Sequence, residues 1–313
     1  MKNYAAFSGL SILVFCSCAK LTDDKPNSLI VTGISEAKGS EIICVDIDSG
    51  SVVNTTPIDC YVFGSAIYDP KTQGYGFVDC DTTFKLVNPV SGKLITSIKL
   101  PGFVSQSVID TKNNLLIGRY TTVTYENNTD TTNTKSVKIG PPIFTDYVIR
   151  VNISTGDIVS TNKLDVRNGV YSTTYYYNES EKTYILYRSN NYLISIDPST
   201  GKIIKERYVG KILVSSVYNP VNNTLISLSY PTSDSQQIYL LVINPETGAE
   251  VTSNAIESGY GYYANIACFD KENNWYITVN TKFEVVCFDI STGEIKKTYK
   301  LENPLSDIKF WRR

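Results

Sequence analysis

Short apolar runs alternate with polar turns along most of this sequence, and residues 192–208 show the pattern in full. In this stretch, YLISIDPSTGKIIKERY, two apolar runs flank the segment Asp197-x-x-Thr200-Gly201. An Asp or Asn side chain bonds to the backbone two residues later, and Gly adopts the positive φ that closes a tight turn. The pattern therefore predicts two strands joined by a hairpin turn.

The same turn motif occurs six times, always as [Asp/Asn]-x-x-[Ser/Thr]-Gly. The copies are residues 46–50, 88–92, 152–156, 197–201, 244–248 and 289–293. Between them lies a second motif, in which an apolar strand ends in Asp or Asn and a polar turn leads to another strand, as in Tyr218-Asn219 before Leu225. Each repeat therefore contains four strands. Four antiparallel strands in 40 to 50 residues are typical of one blade of a β-propeller.

The two ends of the chain predict how the ring closes. Residues 28–31 align with 224–227, the second strand of a blade, so the first blade lacks its innermost strand. One strand is left over at the C-terminus, in residues 303–313, which include Ile308 and Trp311. Because a closed ring has no exposed edge, this strand is expected to complete the first blade. The sequence thus predicts one all-β domain over 28–313, a six-bladed β-propeller whose first blade is closed by the C-terminal strand.

Two segments carry a resemblance to known repeats: YNPVNNTLISL at 218–228 and INPETGAEV at 243–251. They resemble the YVTN, NHL and quinoprotein-type propeller repeats, and the resemblance covers about residues 28–313. It implies blade construction rather than a chemistry. Quinoproteins repeat a Trp that docks neighbouring blades, whereas this sequence has only Trp275 and Trp311. We therefore expect no quinone, no other cofactor and no bound metal.

The N-terminus predicts export. Residues 1–18 read as a signal peptide, with Lys2 before a short apolar core that is too short to span a membrane. The end of this core, Phe15-Cys16-Ser17-Cys18, resembles the lipobox of bacterial lipoproteins, which implies lipidation at Cys18. Residues 19–27 form a tether, whose acidic pair is similar to signals for surface display. The expected location is the bacterial cell envelope, in the outer membrane and attached through the lipid; simple secretion is the alternative.

Cysteine usage leaves two interpretations open for the exported domain. Cys60 and Cys80 lie at the far ends of two strands joined by a turn, so they could face each other and form a disulfide in an oxidising compartment. Cys44 and Cys287 occupy equivalent positions of two repeats. Buried small hydrophobic residues are the favoured interpretation of this second pair.

One interval between turn motifs is longer than the others. The motif glycines, at 50, 92, 156, 201, 248 and 293, lie 42, 64, 45, 47 and 45 residues apart. The surplus falls in residues 121–146, which are dense in Thr and Asn and will not build a separate core. We expect an extended loop or protruding hairpin on one rim of the ring, either functional or merely decorative.

Composition excludes several kinds of chemistry. The sequence contains no His, which excludes Ser-His-Asp and Cys-His nucleophile systems and His-ligated zinc. A formal net charge of -2 gives no electrostatic case for nucleic acid. Asp46 and Asp289 occupy the turn position of the repeat and are therefore expected to be structural. Asp79 and Asp81 are expected in a solvated loop between the second and third strands of a blade.

Propeller ligands usually bind where the central channel opens, on the face built by the connections from fourth to first and from second to third strands. This is an analogy from the fold. Here those connections carry aromatic and basic residues: Tyr61, Phe103, Arg119, Arg167, Tyr171, Tyr187, Arg188, Lys211, Tyr260, Tyr262, Tyr263 and Asp307. The segment Tyr260-Gly261-Tyr262-Tyr263 is the most distinctive, because glycine beside tyrosines suits a mobile aromatic rim for sugars or peptides. Strand starts rich in Tyr throughout the chain are the alternative explanation.

Two functions remain open from the sequence. The favoured hypothesis is a non-enzymatic binding propeller for a protein, peptide or glycan. The alternative is a carboxylate- or cation-dependent hydrolase or lactonase, which requires at least two carboxylates roughly 5 to 10 Å apart at the channel mouth. A redox-cofactor propeller is a third, less favoured hypothesis.

Overall fold

The computed structural model describes residues 28–35, 40–62, 64–128, 138–164, 174–188, 190–231, 237–256, 261–302 and 304–312. The signal peptide, the tether and Cys18 lie outside these residues. Within them the chain forms six four-stranded antiparallel sheets, and no helix in this part of the chain is long and apolar enough to cross a membrane.

The six sheets are the predicted blades. Blade 1 contains β24 (Ser306–Arg312), β1 (Leu29–Ser35), β2 (Glu41–Asp46) and β3 (Ser51–Pro57); blade 2 contains β4 (Ile67–Asp69), β5 (Gly74–Val78), β6 (Thr83–Val87) and β7 (Leu94–Lys99). Blade 3 contains β8 (Val104–Asp110), β9 (Leu115–Asn128), β10 (Lys138–Asn152) and β11 (Ile158–Lys163); blade 4 contains β12 (Tyr175–Asn178), β13 (Thr183–Arg188), β14 (Tyr192–Ile196) and β15 (Ile203–Tyr208). Blade 5 contains β16 (Ile212–Asn219), β17 (Thr224–Tyr230), β18 (Ile238–Ile243) and β19 (Glu250–Ile256); blade 6 contains β20 (Tyr262–Asp270), β21 (Trp275–Asn280), β22 (Glu284–Asp289) and β23 (Ile295–Lys300).

The first strand of each blade contacts the first strands of the two neighbouring blades, so the six first strands surround a central channel. Buried side chains lie between the blades, as in the cluster that joins blades 6 and 1 around Val31, Ile277 and Ile308. The prediction of a six-bladed propeller is confirmed.

The C-terminal strand closes the ring as predicted. In blade 1, β24 pairs with β1, and Trp311 lies opposite Ile30. The indole Nε1 of Trp311 donates a hydrogen bond to Thr32 Oγ1 at 3.0 Å. Arg312 forms an ion pair with Asp270 of blade 6. The chain end is thus held both by its own blade and by the next one.

The alignment used to predict this closure is wrong by two residues. Leu225 lies opposite Ile243, the residue before the turn motif of blade 5. The residue at this position in blade 1 is Val31, opposite Val45, and not Leu29. A strand repeats its facing every two residues, so an offset of two leaves the apolar pattern unchanged. Only the pairing partner distinguishes the two registers.

The turn motif works as its residue types predict. Asp289 Oδ1 accepts hydrogen bonds from the backbone N–H groups of Ser291 and Thr292 at 2.9 and 3.1 Å. Gly293 has a φ of +75° and donates to the Asp289 carbonyl at 2.8 Å. Asp289 is therefore a turn residue, and Asp46 accepts from Ser49 N–H in the same way.

Odd and even blades differ, a feature that the single-blade repeat of the sequence does not show. The first strand of each odd blade contains a bulge, and one bulge residue has a φ of 50° to 54°. In the next even blade a fully buried tyrosine donates to the carbonyl of that residue: Tyr75 to Asp307, Tyr184 to Gln106, and Tyr276 to Ser215. The fourth strand of each odd blade also supplies an Asn to the next turn motif: Asn54, Asn162 and Asn254. The structural repeat is therefore a pair of blades, present three times.

The long interval forms a protruding hairpin, as predicted. In blade 3, the pairing of β9 with β10 begins where Leu115 lies opposite Asn152 and extends outward to where Asn128 lies opposite Lys138. Residues 129–137 lie outside the described part of the chain. Beyond the blade, Val123, Tyr125 and Phe144 are exposed. We call the described part of this hairpin beyond Tyr120 and Tyr147 the arm.

Two pairs of cysteines and Asp79 have defined positions in the structure. Cys60 and Cys80 form a disulfide with their Cα atoms 5.8 Å apart. Cys44 and Cys287 are fully buried, as expected of small hydrophobic residues. Asp79 is not a solvated loop residue: it is 6% exposed and forms an ion pair with Lys85 at 2.9 Å.

Candidate functional site

The channel opens on two rims, which carry different loops. The arm rim contains the connections from second to third and from fourth to first strands, including the arm. The turn rim contains the connections from first to second and from third to fourth strands, including the six turn motifs. The connections in which the sequence predicts ligand-binding residues are those of the arm rim.

Basic candidates on the arm rim are engaged in ion pairs within their own or neighbouring connections. Arg119 pairs with Asp146 at 2.9 Å, across the base of the arm. Arg188 pairs with Glu206 at 3.0 Å, and its guanidinium lies 5.4 Å from the centre of the Tyr192 ring. Lys211 lies 3.5 Å from Glu250. Each of the three cations therefore pairs with an acid of a different blade, in blades 3, 4 and 5, and these ion pairs share no partner.

Other candidates on this rim have roles in packing. Tyr187 is buried and donates to the Lys211 carbonyl at 2.8 Å, so these two candidates do meet. Tyr262 is 8% exposed and its ring packs edge-on against Phe288. Phe103, by contrast, is 55% exposed. Of the Tyr260-Gly261-Tyr262-Tyr263 segment, Tyr262 therefore packs in the core, and Gly261 is exposed.

Asp307 and Tyr61 lie together where blades 1 and 2 meet. Both carboxylate oxygens of Asp307 accept the Gly64 N–H, at 2.9 and 3.0 Å. Burial raises the pKa of Asp307. The hydroxyl of Tyr61 lies 2.7 Å from Ser306 Oγ. Arg167, Tyr171, Tyr260 and the side chain of Tyr263 lie outside the described residues.

A large cavity opens on the opposite side, in the channel at the turn rim. Its volume is about 880 Å³. This is within the range of roughly 300 to 1,000 Å³ that is usual for ligand pockets. It is formed by the ends of the first strands and the turns that follow them. Five tyrosines contribute to the lining: Tyr68, Tyr175, Tyr176, Tyr177 and Tyr218. None of the candidates from the sequence analysis lines this cavity.

The tyrosines are fixed by stacking and by hydrogen bonds. Tyr176 and Tyr218 stack across the boundary between blades 4 and 5, with ring centres 4.5 Å apart and planes 9° apart. Tyr68 stacks on Trp311 of the closing strand at 5.6 Å. Tyr177 donates its hydroxyl proton to Asp110 Oδ2 at 3.0 Å. The aromatic lining is thus preorganised by contacts between blades rather than by flexible loops.

Burial raises the pKa of the hydroxyls of Tyr68 and Tyr177. Burial, followed by the nearby Asp69 carboxylate, raises the pKa of Tyr68 to about 12. Burial and the bond to Asp110 raise the pKa of Tyr177 well above its usual value. These two phenolic groups are therefore neutral at physiological pH. Because Tyr177 and Tyr218 already donate to Asp110 and Asn223, their hydroxyls can only accept from a ligand, and the rings provide apolar surface.

Two serines lie at the bulges of the odd blades and line the inner end of the cavity. Ser216 bonds to Ser227 at 2.7 Å and lies 2.6 Å from Thr174 Oγ1. Ser107 is 3% exposed, and its Oγ has no hydrogen-bond partner among the described residues. A buried hydroxyl without a partner is costly, and this one lies beside Gly118 of β9, where an added Cβ would come within 3.1 Å of it.

Three charged residues line the cavity: Lys112, Glu179 and Lys309. Glu179 accepts a hydrogen bond from Thr111 at 2.5 Å, across the boundary between blades 3 and 4. Lys112 is exposed in the turn after β8, and Lys309 is half-buried on β24. Neither lysine forms a salt bridge within the part of the chain that the structure describes.

Carboxylates at the ends of the first strands are committed to their own turns. Asp69 accepts from Lys71 N–H and Thr72 Oγ1, and Asp110 accepts from Asn113. Asp270 accepts from the turn after β20 and from Arg312. Among the described residues no three His, Cys, Asp or Glu side chains are grouped so as to hold a metal ion.

The pKa values of one carboxylate pair shift in opposite directions. Glu181 and Glu246 share a hydrogen bond between blades 4 and 5, outside the cavity lining. Burial and the charge of Glu246 raise the pKa of Glu181. Burial opposes ionisation of Glu246 too, but its bond to Lys205 and the charge of Arg207 outweigh it and lower the pKa.

Sequence reasoning missed this cavity because it assigned the ligand to the other rim by analogy. A local signal was present, however. The run Tyr175-Tyr176-Tyr177 ends the first strand of blade 4, immediately before the Asn of the second recurring motif. Every tyrosine of this run lines the cavity.

Known proteins with this fold provide a comparison. No protein-family model and no curated protein matches this sequence. One similar structure is a protein of unknown function from Bacteroides caccae, with 15% identity, a TM-score of 0.56 and coverage of 92% of this chain and 100% of that chain. Another is a chain of a nidogen/laminin complex, with 9% identity, a TM-score of 0.59 and coverage of 91% and 98%.

A third similar structure is the dihydro-heme d1 dehydrogenase NirN in complex with DHE, with 12% identity and a TM-score of 0.50. The match covers 87% of this chain and 53% of that chain, so this chain spans about half the length of NirN. At these identities the three comparisons show a shared propeller fold and nothing about activity.

Proposed function

We propose that this protein is a non-enzymatic binding propeller, anchored at the bacterial cell envelope through a lipid on Cys18, which holds part of a protein, a peptide or a glycan in the turn-rim cavity. The observation that carries the proposal is the cavity itself. It offers about 880 Å³ lined by five tyrosines, four of which are held in place by contacts with a neighbouring blade.

The polar groups of the cavity favour binding over catalysis. Asp110, the carboxylate bonded to Tyr177, already accepts three hydrogen bonds, from Asn113 N–H, Asn113 Nδ2 and Tyr177. A general acid or base needs a proton that it can exchange with a substrate, whereas this carboxylate serves the turn. The fold of the nidogen/laminin chain is also consistent with binding, since that propeller comes from a complex between proteins.

A steric block of the cavity tests the proposal. Ala267 lines the cavity and is half-buried, so Ala267→Trp fills part of the space; Ala249 is exposed in the turn before β19, so Ala249→Trp is a matched control. Peptide and glycan arrays should be probed with the wild type and with both variants. We expect the same array members to bind the wild type and the Ala249→Trp variant. The Ala267→Trp variant should not bind them. An empty array, or equal binding by Ala267→Trp, would refute a binding function at this cavity.

The Glu181–Glu246 pair supports the alternative function, a hydrolase or lactonase. Two acids whose pKa values are shifted in opposite directions are an arrangement that acid-base catalysis uses. Ester, lactone and glycoside substrates should therefore be assayed in parallel. Turnover by the wild type that disappears in Glu181→Gln would replace the binding proposal with this alternative.

The anchor requires its own experiment. Lipidated protein partitions into the detergent phase of Triton X-114, and the Cys18→Ser variant should partition into the aqueous phase. Equal partitioning of the two proteins would contradict lipid attachment at Cys18 and favour simple secretion.

A further inference from the structure

Lys309 departs from the repeat at a position inside the cavity. Strand pairing identifies the equivalent residue in each blade. The Asp or Asn of the turn motif lies opposite a residue of the second strand. The residue two positions further along that second strand lies opposite the equivalent residue of the first strand. The six residues are Lys309, Ile67, Val108, Tyr176, Val217 and Cys268 in blades 1 to 6. Five of the six are uncharged and largely apolar. The other five blades thus fold with an uncharged residue at this position, so the fold does not require the lysine.

The surroundings of Lys309 leave its ammonium group available to a ligand. Asp307 lies two residues along the strand, and both of its carboxylate oxygens accept the Gly64 N–H. Lys112 adds a second positive charge to the lining, against one negative charge from Glu179. The charged lining is therefore net positive, which favours an anion.

The groups that face Lys309 across the channel are aromatic. In a ring of six, blade 1 lies opposite blade 4, whose first strand carries Tyr175, Tyr176 and Tyr177. Ser107, whose buried Oγ has no partner among the described residues, belongs to the neighbouring blade 3. A ligand that spans the channel meets a cation at one side, and aromatic rings with hydroxyl groups at the other.

We infer that the cavity binds an anionic saccharide, with a carboxylate against Lys309 and a sugar ring against the tyrosines of β12. This inference rests on the proposed function and names its ligand class. A sugar ring has apolar C–H faces that pack on aromatic rings, and hydroxyl edges that bond to polar groups of the lining such as Thr111 and Lys112. A uronic acid adds the carboxylate that a lysine attracts. An acidic peptide has the charge, but not the polar edge around an apolar face.

Three defined probes test the ligand class: trigalacturonate, its neutral counterpart galactotriose, and triglutamate. Binding to the wild type should be measured by isothermal titration calorimetry at 50 and 500 mM NaCl. We expect trigalacturonate to bind at least ten times more tightly than either other probe. Its affinity should fall at high salt, because screening weakens charge attraction outside the deep interior.

Matched variants test the role of the lysine. Lys309→Met keeps the unbranched chain and removes the charge, and Lys300→Met makes the same change on the exposed outer strand β23. Lys309→Met should lose at least tenfold in affinity for trigalacturonate and leave the binding of galactotriose unchanged. Lys309→Arg should restore most of the loss, which separates a charge effect from misfolding. Lys300→Met should bind as the wild type does.

The outcomes separate this inference from the proposed function. The inference is wrong if galactotriose binds as tightly as trigalacturonate, or if Lys309→Met binds trigalacturonate normally. In either case the proposed binding function still stands if Ala267→Trp blocks binding. Tighter binding of triglutamate would replace the saccharide with an acidic peptide. If no probe binds, the inference is wrong, and the array experiment alone then decides the proposed function.

Discussion

Trp311 offers the strongest test of how the ring is closed. Its side chain is 5% exposed, packs with Ile30 and Cys44 in the core of blade 1, and stacks on Tyr68 of blade 2. Its Nε1 donates to the buried Thr32 hydroxyl. One side chain thus joins the last strand to its own blade and to the next. We expect Trp311→Ala to destabilise the whole domain rather than the C-terminus alone.

The magnitude follows from the contacts that are lost. Replacing a buried Trp or Phe by Ala costs about 3 to 5 kcal/mol through lost burial and the remaining cavity. Leaving the Thr32 hydroxyl without its partner costs roughly a further 1 to 3 kcal/mol. Because folded domains are stable by only about 5 to 15 kcal/mol, a loss of at least ~3 kcal/mol is a large part of the total.

Urea unfolding followed by far-ultraviolet circular dichroism measures this loss. Trp311→Phe keeps most of the volume and the stacking on Tyr68 but removes the bond to Thr32, so it should cost about 1 to 3 kcal/mol. Phe144→Ala is the control, since Phe144 is 65% exposed on the arm and its loss should change stability by about 0.5 kcal/mol or less. A Trp311→Ala variant as stable as Phe144→Ala would refute closure of the ring by β24.

Two further predictions concern the turns and the ion pair at the closure. Gly50 and Gly248 both have positive φ, but an added Cβ meets nothing within 4 Å at Gly50 and lies 2.6 Å from the Tyr208 carbonyl oxygen at Gly248. In thermal unfolding, Gly50→Ala should cost about 1 to 2 kcal/mol, and Gly248→Ala should cost at least about 1 kcal/mol more; equal costs would contradict the clash. Burial opposes ionisation of Asp270, but the bond from Arg312 outweighs this effect and lowers the pKa of Asp270. The ionised Asp270 therefore contributes to stability above about pH 4, and this contribution is lost as pH falls through the lowered pKa. Asp270→Asn should therefore reduce the loss of stability between about pH 5 and pH 2 in urea unfolding, and an unchanged pH profile would contradict the assignment.

The candidate site shows where reasoning from the sequence reached its limit. The prediction of aromatic and basic groups at a channel mouth depended on which rim the fold family uses, a property that no residue of this chain encodes locally. Arg119 and Arg188 look available in the sequence because Asp146 and Glu206 lie 27 and 18 residues away from them. Folding brings each acid to its base. Tyr262 similarly reads as a rim residue, yet it packs on Phe288.

The sequence by itself determined the six hairpins, the blade count, the closure of the ring and the arm. The hairpins, the blade count and the arm follow from interactions between near neighbours, since an Asp or Asn side chain and a glycine act within five residues, and strand facing repeats every two. The closure pairs strands from the two ends of the chain, and it follows from the count of strands, which leaves one over at the C-terminus. Only the tertiary structure decided the register of β1, the alternation of odd and even blades, and the position of the cavity. Each depends on which residues from distant parts of the chain become neighbours: Tyr184 reaches the carbonyl of Gln106, and Lys309 comes to lie across the channel from Tyr176. Pairings of this kind are set by the packing of six sheets around one channel, and local residue patterns do not specify them.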